Sequence, residues 1–213
     1  MPVDYDYFIE RVQHAATRGG LADVRLAREE FHNLTGKFEE GEPWFELRMN
    51  MFHDWYLLDR RGVDGATPVE RFIDDHRDRI DPTELPQFEH LTVTLRSVFR
   101  LLSIKGKALQ LDDLAGGGRW EARWTLPTVG LALGDIIDSR IVMFDGQPIT
   151  GRGAVLHPRE AHEAVETIVN RARREGMRPR EVVDHLDKMR LKLDRYSNVR
   201  IRHVYQYPGD AHL

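Results

Sequence analysis

The hydrophobic period of this chain changes at about residue 95 and again at Pro158, and nothing else limits its fold so much. Before residue 95 apolar residues recur every three to four positions. They then alternate, and after Pro158 the helical spacing returns. A period of 3.6 gives one apolar face to a helix and a period of 2 gives one to a strand, so neither pattern can serve the other element. The expectation is an α+β protein with its strands gathered in the middle of the chain.

Residues 1–94 read as an acidic helical bundle of five helices. Residues 4–18 carry Tyr7/Phe8, Val12 and Ala15/Ala16 at helical spacing, and residues 21–35 carry Leu21, Val24, Ala27, Phe31 and Leu34 before Gly36. A third helix starts near Pro43 with Trp44, Leu47/Arg48, Met51/Phe52, Trp55 and Leu58 on its stripe. Thr67-Pro68-Val69-Glu70 and Asp81-Pro82-Thr83-Glu84 each predict a capped helix start with proline in the first turn.

Residues 95–157 predict a small antiparallel β-barrel or curled sheet of about five strands. The strands are read at "SVFRLLSI", "KALQLDDL", "RWEARW", "IIDSRIVMF" and near "AVLH", with Asp145-Gly146 as a hairpin turn. Gly116-Gly117-Gly118 lacks the Lys-Ser/Thr of a phosphate loop and is read as a turn, and Gly151-Arg152-Gly153 as a turn or bulge. Residues 158–213 predict an αα-hairpin broken at Gly176, then an alternating tail, "NVRIRHVYQY", resembling an edge strand, and a frayed "PGDAHL".

Charge follows the same division. The net charge of −4 is made of −9 in residues 1–90, +2 in 91–156 and +3 in 157–213. That asymmetry suits either docking between the parts or a basic surface for a partner. With no cysteine, disulfides, thiolate zinc sites and thiol nucleophiles are excluded. No signal peptide or membrane-length apolar run is visible, so the expected location is cytoplasmic.

Chemistry candidates are few. Glu29-x-x-His32, with His53, is a fragment of a helical metal site, but a di-iron bundle needs a second Glu-x-x-His that the chain lacks. His53 and Asp54 are adjacent, about 100° apart around a helix, and cannot form a bonded dyad. Asp59-Arg60-Arg61 ends the third helix and reads as a structural hinge. The serines lie outside any nucleophile elbow. No cofactor is expected. Lys105, Lys107, Arg119 and Arg123, with Trp120 and Trp124, are the residues through which the barrel would bind a nucleic acid. Arg200, Arg202, Tyr205 and Tyr207 in the tail are those through which the chain would meet a protein partner or a second copy of itself.

In order, "FHDWYLLDR", "TPVERF", "SVFRLL", "LQLDDLAGG" and "LGDIIDSRIV", over about residues 45–157, resemble a group of poorly characterised bacterial proteins. Those proteins pair a helix bearing F-x-x-W-[FY]-x-x-D-R with a β-rich segment bearing G-D-x-x-x-x-R. Some relatives append a SEC-C zinc motif, which this cysteine-free chain lacks. The resemblance implies an architecture and no reaction. The expected role is a non-enzymatic interaction, adaptor or regulatory protein. The alternatives are a nucleic-acid-binding regulator using the small barrel or the C-terminal helices, with residues 179–195 as a recognition helix, and, third, a metal-dependent enzyme on the helical bundle using Glu29, His32 and His53.

Overall fold

The computed structural model describes residues 4–18, 20–196 and 198–207. The fold is α+β. Five helices come first: α1 (Tyr5–Thr17), α2 (Ala22–Thr35), α3 (Phe45–Leu58), α4 (Pro68–His76) and α5 (Leu85–His90). Strands β1 (Thr94–Lys105), β2 (Ala108–Asp113), β3 (Arg119–Arg123), β4 (Ile136–Phe144) and β5 (Gln147–Leu156) follow. Then come α6 (His162–Arg174), α7 (Pro179–Arg195) and a final helical turn, α8 (Ile201–Val204). No helix among the described residues is long and apolar enough to cross a membrane.

Local signals account for the helix starts. The Thr67 hydroxyl accepts from the Glu70 amide while the Glu70 carboxylate accepts from the Thr67 amide, so the expected capping box is present. The second device behaves differently. Asp81 accepts from the Thr83 amide at 2.8 Å and shapes a turn, and α5 begins only at Leu85.

The sheet is mixed rather than purely antiparallel. The strand order β1-β2-β3-β5-β4 returns to β1, but the seam between β3 and β5 is a single parallel pair, Arg123↔Ile149. The result is a tightly curled sheet rather than a full barrel. Threonines brace the seam: the Thr125 amide donates to the Thr150 hydroxyl at 3.0 Å, and the Thr125 hydroxyl donates to the Gly151 carbonyl at 3.0 Å. Inside the curl lie Phe99, Leu101, Leu109, Leu111, Ala122, Trp124, Ile137 and Ile141. The Gly116–Gly118 segment is a turn, tied down by the Asp113 carboxylate, which accepts from the Ala115 and Gly116 amides.

Helix α3 is the axis of the first half. It packs against α1, α2 and α4 on one side and against β5 on the other, which explains why its apolar residues are not confined to one stripe. Met51, Phe52, Trp55, Tyr56, Leu57 and Leu58 are all buried. Edge-to-face and tilted contacts among Phe8, Phe72, Phe88 and Phe144 join α1, α4, α5 and β4. A second apolar cluster, built around Val165, Ile168, Val182, Val183 and Leu186, seats the α6/α7 hairpin on Val98 and Ile136.

One expectation is refined and one corrected. Of the two readings of Gly151-Arg152-Gly153 the bulge holds: the segment lies within β5, where the register against β4 shifts between the pairs Ser139↔Ala154 and Ile141↔Thr150. A Cβ at Gly151 would stand 2.7 Å from the Asp54 carboxylate, and one at Gly153 would stand 3.2 Å from the Met51 amide nitrogen. The two glycines let α3 lie close on the strand. The tail is not an edge strand: residues 201–204 form α8, and Val204, Tyr205 and Tyr207 are buried. The tail instead packs α8 on α7 and on residues 159–161, while Tyr205 reaches His157 and Tyr207 reaches Glu175. The "PGDAHL" end lies outside the described residues. Gly153→Ala is expected to push α3 off β5 and to lower stability by about 1–3 kcal/mol in urea unfolding.

Candidate functional site

Charged residues meet where α3, the sheet and α7 join. Arg96 on β1 and Arg140 on β4 are direct cross-strand partners, so they project from the same face of the sheet. Like charges so placed repel unless each is neutralised. Arg140 forms a two-pronged pair with Asp59 at the end of α3, with Nη1 to Oδ1 at 2.9 Å, and also donates to the Thr94 hydroxyl at 2.6 Å. Arg96 donates to Asp184 at 2.6 Å and to Asp187 at 2.7 Å, both on α7. Arg48, 1% exposed, donates from Nη2 to the Asp187 carbonyl at 3.0 Å. Asp54 accepts from the Arg152 amide at 2.8 Å and from its Nε at 2.9 Å.

The electrostatics follow from this pairing. Burial raises the Asp59 carboxyl, but the Arg140 guanidinium outweighs it and holds Asp59 below the ordinary carboxylate range. Burial pushes Asp184 and Asp187 up, against the opposing pull of arginines: Arg96 on Asp184, and Arg48 and Arg96 on Asp187. Beside them His157 bridges Asp138 (Nε2 and Oδ2 2.8 Å apart) and the Tyr205 hydroxyl (Nδ1 and Oη 2.9 Å apart). The cavity at the centre, lined by Met51, Asp54, Arg96, Asp138, Ser139, Arg140, Gly153 and Val183, is about 20 Å3. That is room for about one water molecule and no organic substrate. The arrangement is suited to clamping three elements together.

The metal candidates are not assembled. Glu29 is exposed on α2, the His32 ring packs on Phe38 with centroids 4.7 Å apart, and His53 lies beside Phe52 on α3. Burial lowers both imidazoles below their ordinary value. Among the described residues no group of three or more His, Asp or Glu is placed to hold a metal ion.

The basic residues of the sheet divide. Lys105, Ala108 and Arg123 are successive register partners, and Lys107 lies in the adjoining turn, so three cations share one rim. Arg119 is at the other end of β3, opposite Asp112. Trp124 is buried in the curl and donates from Nε1 to the Pro127 carbonyl, and half-buried Trp120 packs on the same cluster.

The four tail residues do converge. Arg200, Arg202, Tyr205 and Tyr207 line a groove of about 760 Å3 against α6, with Ile168 and Ile201 among its apolar walls and Glu160 and Glu163 among its rims. Tyr207 donates its hydroxyl to Glu175 and lies under Arg171, whose guanidinium carbon is 3.9 Å from the ring centroid. Tyr205 forms the floor and reaches His157 behind it. Burial pushes its hydroxyl well above the ordinary tyrosine range, with Asp138 adding to the effect.

Comparison with protein-family models, curated proteins and solved structures finds no match.

Sequence reasoning missed Arg48, Arg96, Asp138, Arg140, Arg152, His157, Asp184 and Asp187. The available signal was a charge inside an apolar run, as in Ile136-Ile137-Asp138-Ser139-Arg140-Ile141-Val142. Such a charge is costly to bury unless partnered. Asp59→Asn should cost about 3 kcal/mol, because it leaves buried Arg140 without its counter-charge. Since the native Asp59 carboxyl is depressed, its stabilisation is complete above about pH 4 and is lost as pH falls through the lowered value. Urea unfolding of both proteins from pH 3 to 7 should show their difference shrinking at the acid end.

Proposed function

We propose that this chain is a non-catalytic interaction protein that takes a segment of a protein partner into the groove between α6 and the α8 tail. The observation that supports it is the composition of that groove. Two tyrosines and two arginines from one short stretch converge on a concavity with apolar walls. Tyrosine and arginine are among the residue types enriched in binding energy at interfaces: tyrosine buries a large ring while ordering few bonds, and arginine offers a planar fork of donors. The buried arginines and aspartates, by contrast, are set against one another and enclose no room for a substrate, which favours binding over chemistry.

Arg200 and Arg202 border the groove without filling the core, so they can be altered with the fold intact. The double variant Arg200→Glu/Arg202→Glu should lose at least about tenfold in partner capture from native cell extract, which corresponds to 1.4 kcal/mol or more. Thermal unfolding should remain within about 2–4 °C of native. Unchanged capture by the folded variant would reject the groove. Deleting the tail is a poorer test, since Tyr205 and Tyr207 are part of the core.

A second reading rests on the shared rim of Lys105, Lys107 and Arg123, beside the outer face of β2 and β3. Five-stranded, partly open barrels use this face to bind oligonucleotides. Nuclease-resistant capture supports the protein partner. Oligonucleotide binding that weakens steeply with salt and is lost in Lys107→Ala/Arg123→Ala supports the rim.

A further inference from the structure

A different groove runs between α1 and α4. Tyr7, Glu10, Arg11, His14, Ala15 and Arg18 present one face of α1 at helical spacing. Phe72 and His76 of α4, with Arg79 and Ile80 just beyond it, form the opposite wall. The cavity is about 440 Å3, within the usual size of small-molecule sites.

Its charge runs against its surroundings. Residues 1–90 carry a net charge of −9, yet the groove is lined by three arginines and two histidines against the single carboxylate of Glu10. Arg11 is paired with Glu84. Among the described residues neither Arg18 nor Arg79 forms an ion pair with a carboxylate. Arg18 instead approaches the His14 imidazole, Nη2 to Nε2 at 3.2 Å, and Arg79 donates to the Asp75 carbonyl at 2.9 Å. Two guanidinium groups thus face a concavity with their charge unmatched, above an apolar floor of Ala15, Phe72 and Ile80. An arginine fork matches two oxygens of one carboxylate or phosphate, and stacked or buried carbon atoms hold an apolar body.

We infer that this groove is a binding site for a small organic anion, with a carboxylate or phosphate on Arg18 and Arg79 and an apolar ring or chain against Phe72 and Ile80. It is separate from the α6/α8 groove, so either can fail without the other. Helix C-termini also attract cations, since Arg18 caps α1 and Arg79 follows α4. That role needs no ligand, and the experiment distinguishes the two.

The full chain is titrated by calorimetry with phenyl phosphate, benzoate, inorganic phosphate and benzyl alcohol. Saturable binding of phenyl phosphate or benzoate below about 1 mM is expected, weakening with added salt. Whichever of the two binds tighter identifies phosphate or carboxylate as the preferred head. Inorganic phosphate and benzyl alcohol should each bind at least tenfold more weakly. Arg18→Gln/Arg79→Gln, at exposed positions, should lose tenfold or more with its unfolding temperature unchanged, whereas Arg200→Glu/Arg202→Glu should bind as native. No saturable binding of either aromatic anion, equal binding of inorganic phosphate, or native affinity in the Arg18/Arg79 variant would each overturn the assignment.

Discussion

Everything in this fold is organised around two arginines that sit opposite each other on neighbouring strands. Arg96 and Arg140 would repel if left alone on the sheet surface. Each takes its counter-charge from a different helix: Asp59 from α3, and Asp184 and Asp187 from α7. The repulsion is thereby converted into a requirement that both helices be present. Arg48 extends the link, since it leaves α3 and ends on an α7 carbonyl. Ion pairs of this kind add little to net stability compared with apolar packing, because dehydrating the charges offsets most of their attraction. Their value lies in specificity. An apolar interface would tolerate sliding of α7 along β1, and a guanidinium held by two carboxylates one turn apart does not.

The end of α3 shows how adjacent residues divide this labour. Asp59 turns toward β4, while Arg60 turns toward α2 and pairs with Glu30 at 2.7 Å and Asp23 at 2.9 Å. Arg61 reaches the Gly65 carbonyl and Glu70 at the start of α4. Three consecutive residues thus fix the sheet, the bundle and the following loop. The aromatic residues upstream supply apolar area, and this charged end supplies direction.

Much of the architecture could be read locally. The capping box at Thr67 and Glu70, the Asp145-Gly146 turn and the change of period at residue 95 all act within a few residues of themselves. What escaped depended on distant contacts. Asp54 carries no local sign of its partner and is buried where β5, with two glycines, passes over it. In the tail, the spacing of Val204, Tyr205 and Tyr207 fits a strand as well as a helical turn, and their contacts with His157 and Glu175 decide the matter. The convergence of Arg200 and Arg202 with those tyrosines could be guessed from proximity in the chain. The groove they border could not, since its other wall is α6.

The seam of the curled sheet has a consequence for how such a chain can vary. One bridge and a pair of threonines hold β3 to β5, while every other strand boundary is a full ladder. The connection leaving that seam exposes Val129 and Leu133 between Thr125, which braces the seam, and Gly134-Asp135, whose backbone bonds Leu101. Extra sequence inserted there would lengthen a loop without breaking a strand pairing, and the entropy of a longer loop grows only slowly. The seam is therefore where descendants of this fold can gain a new appendage at least cost to the rest.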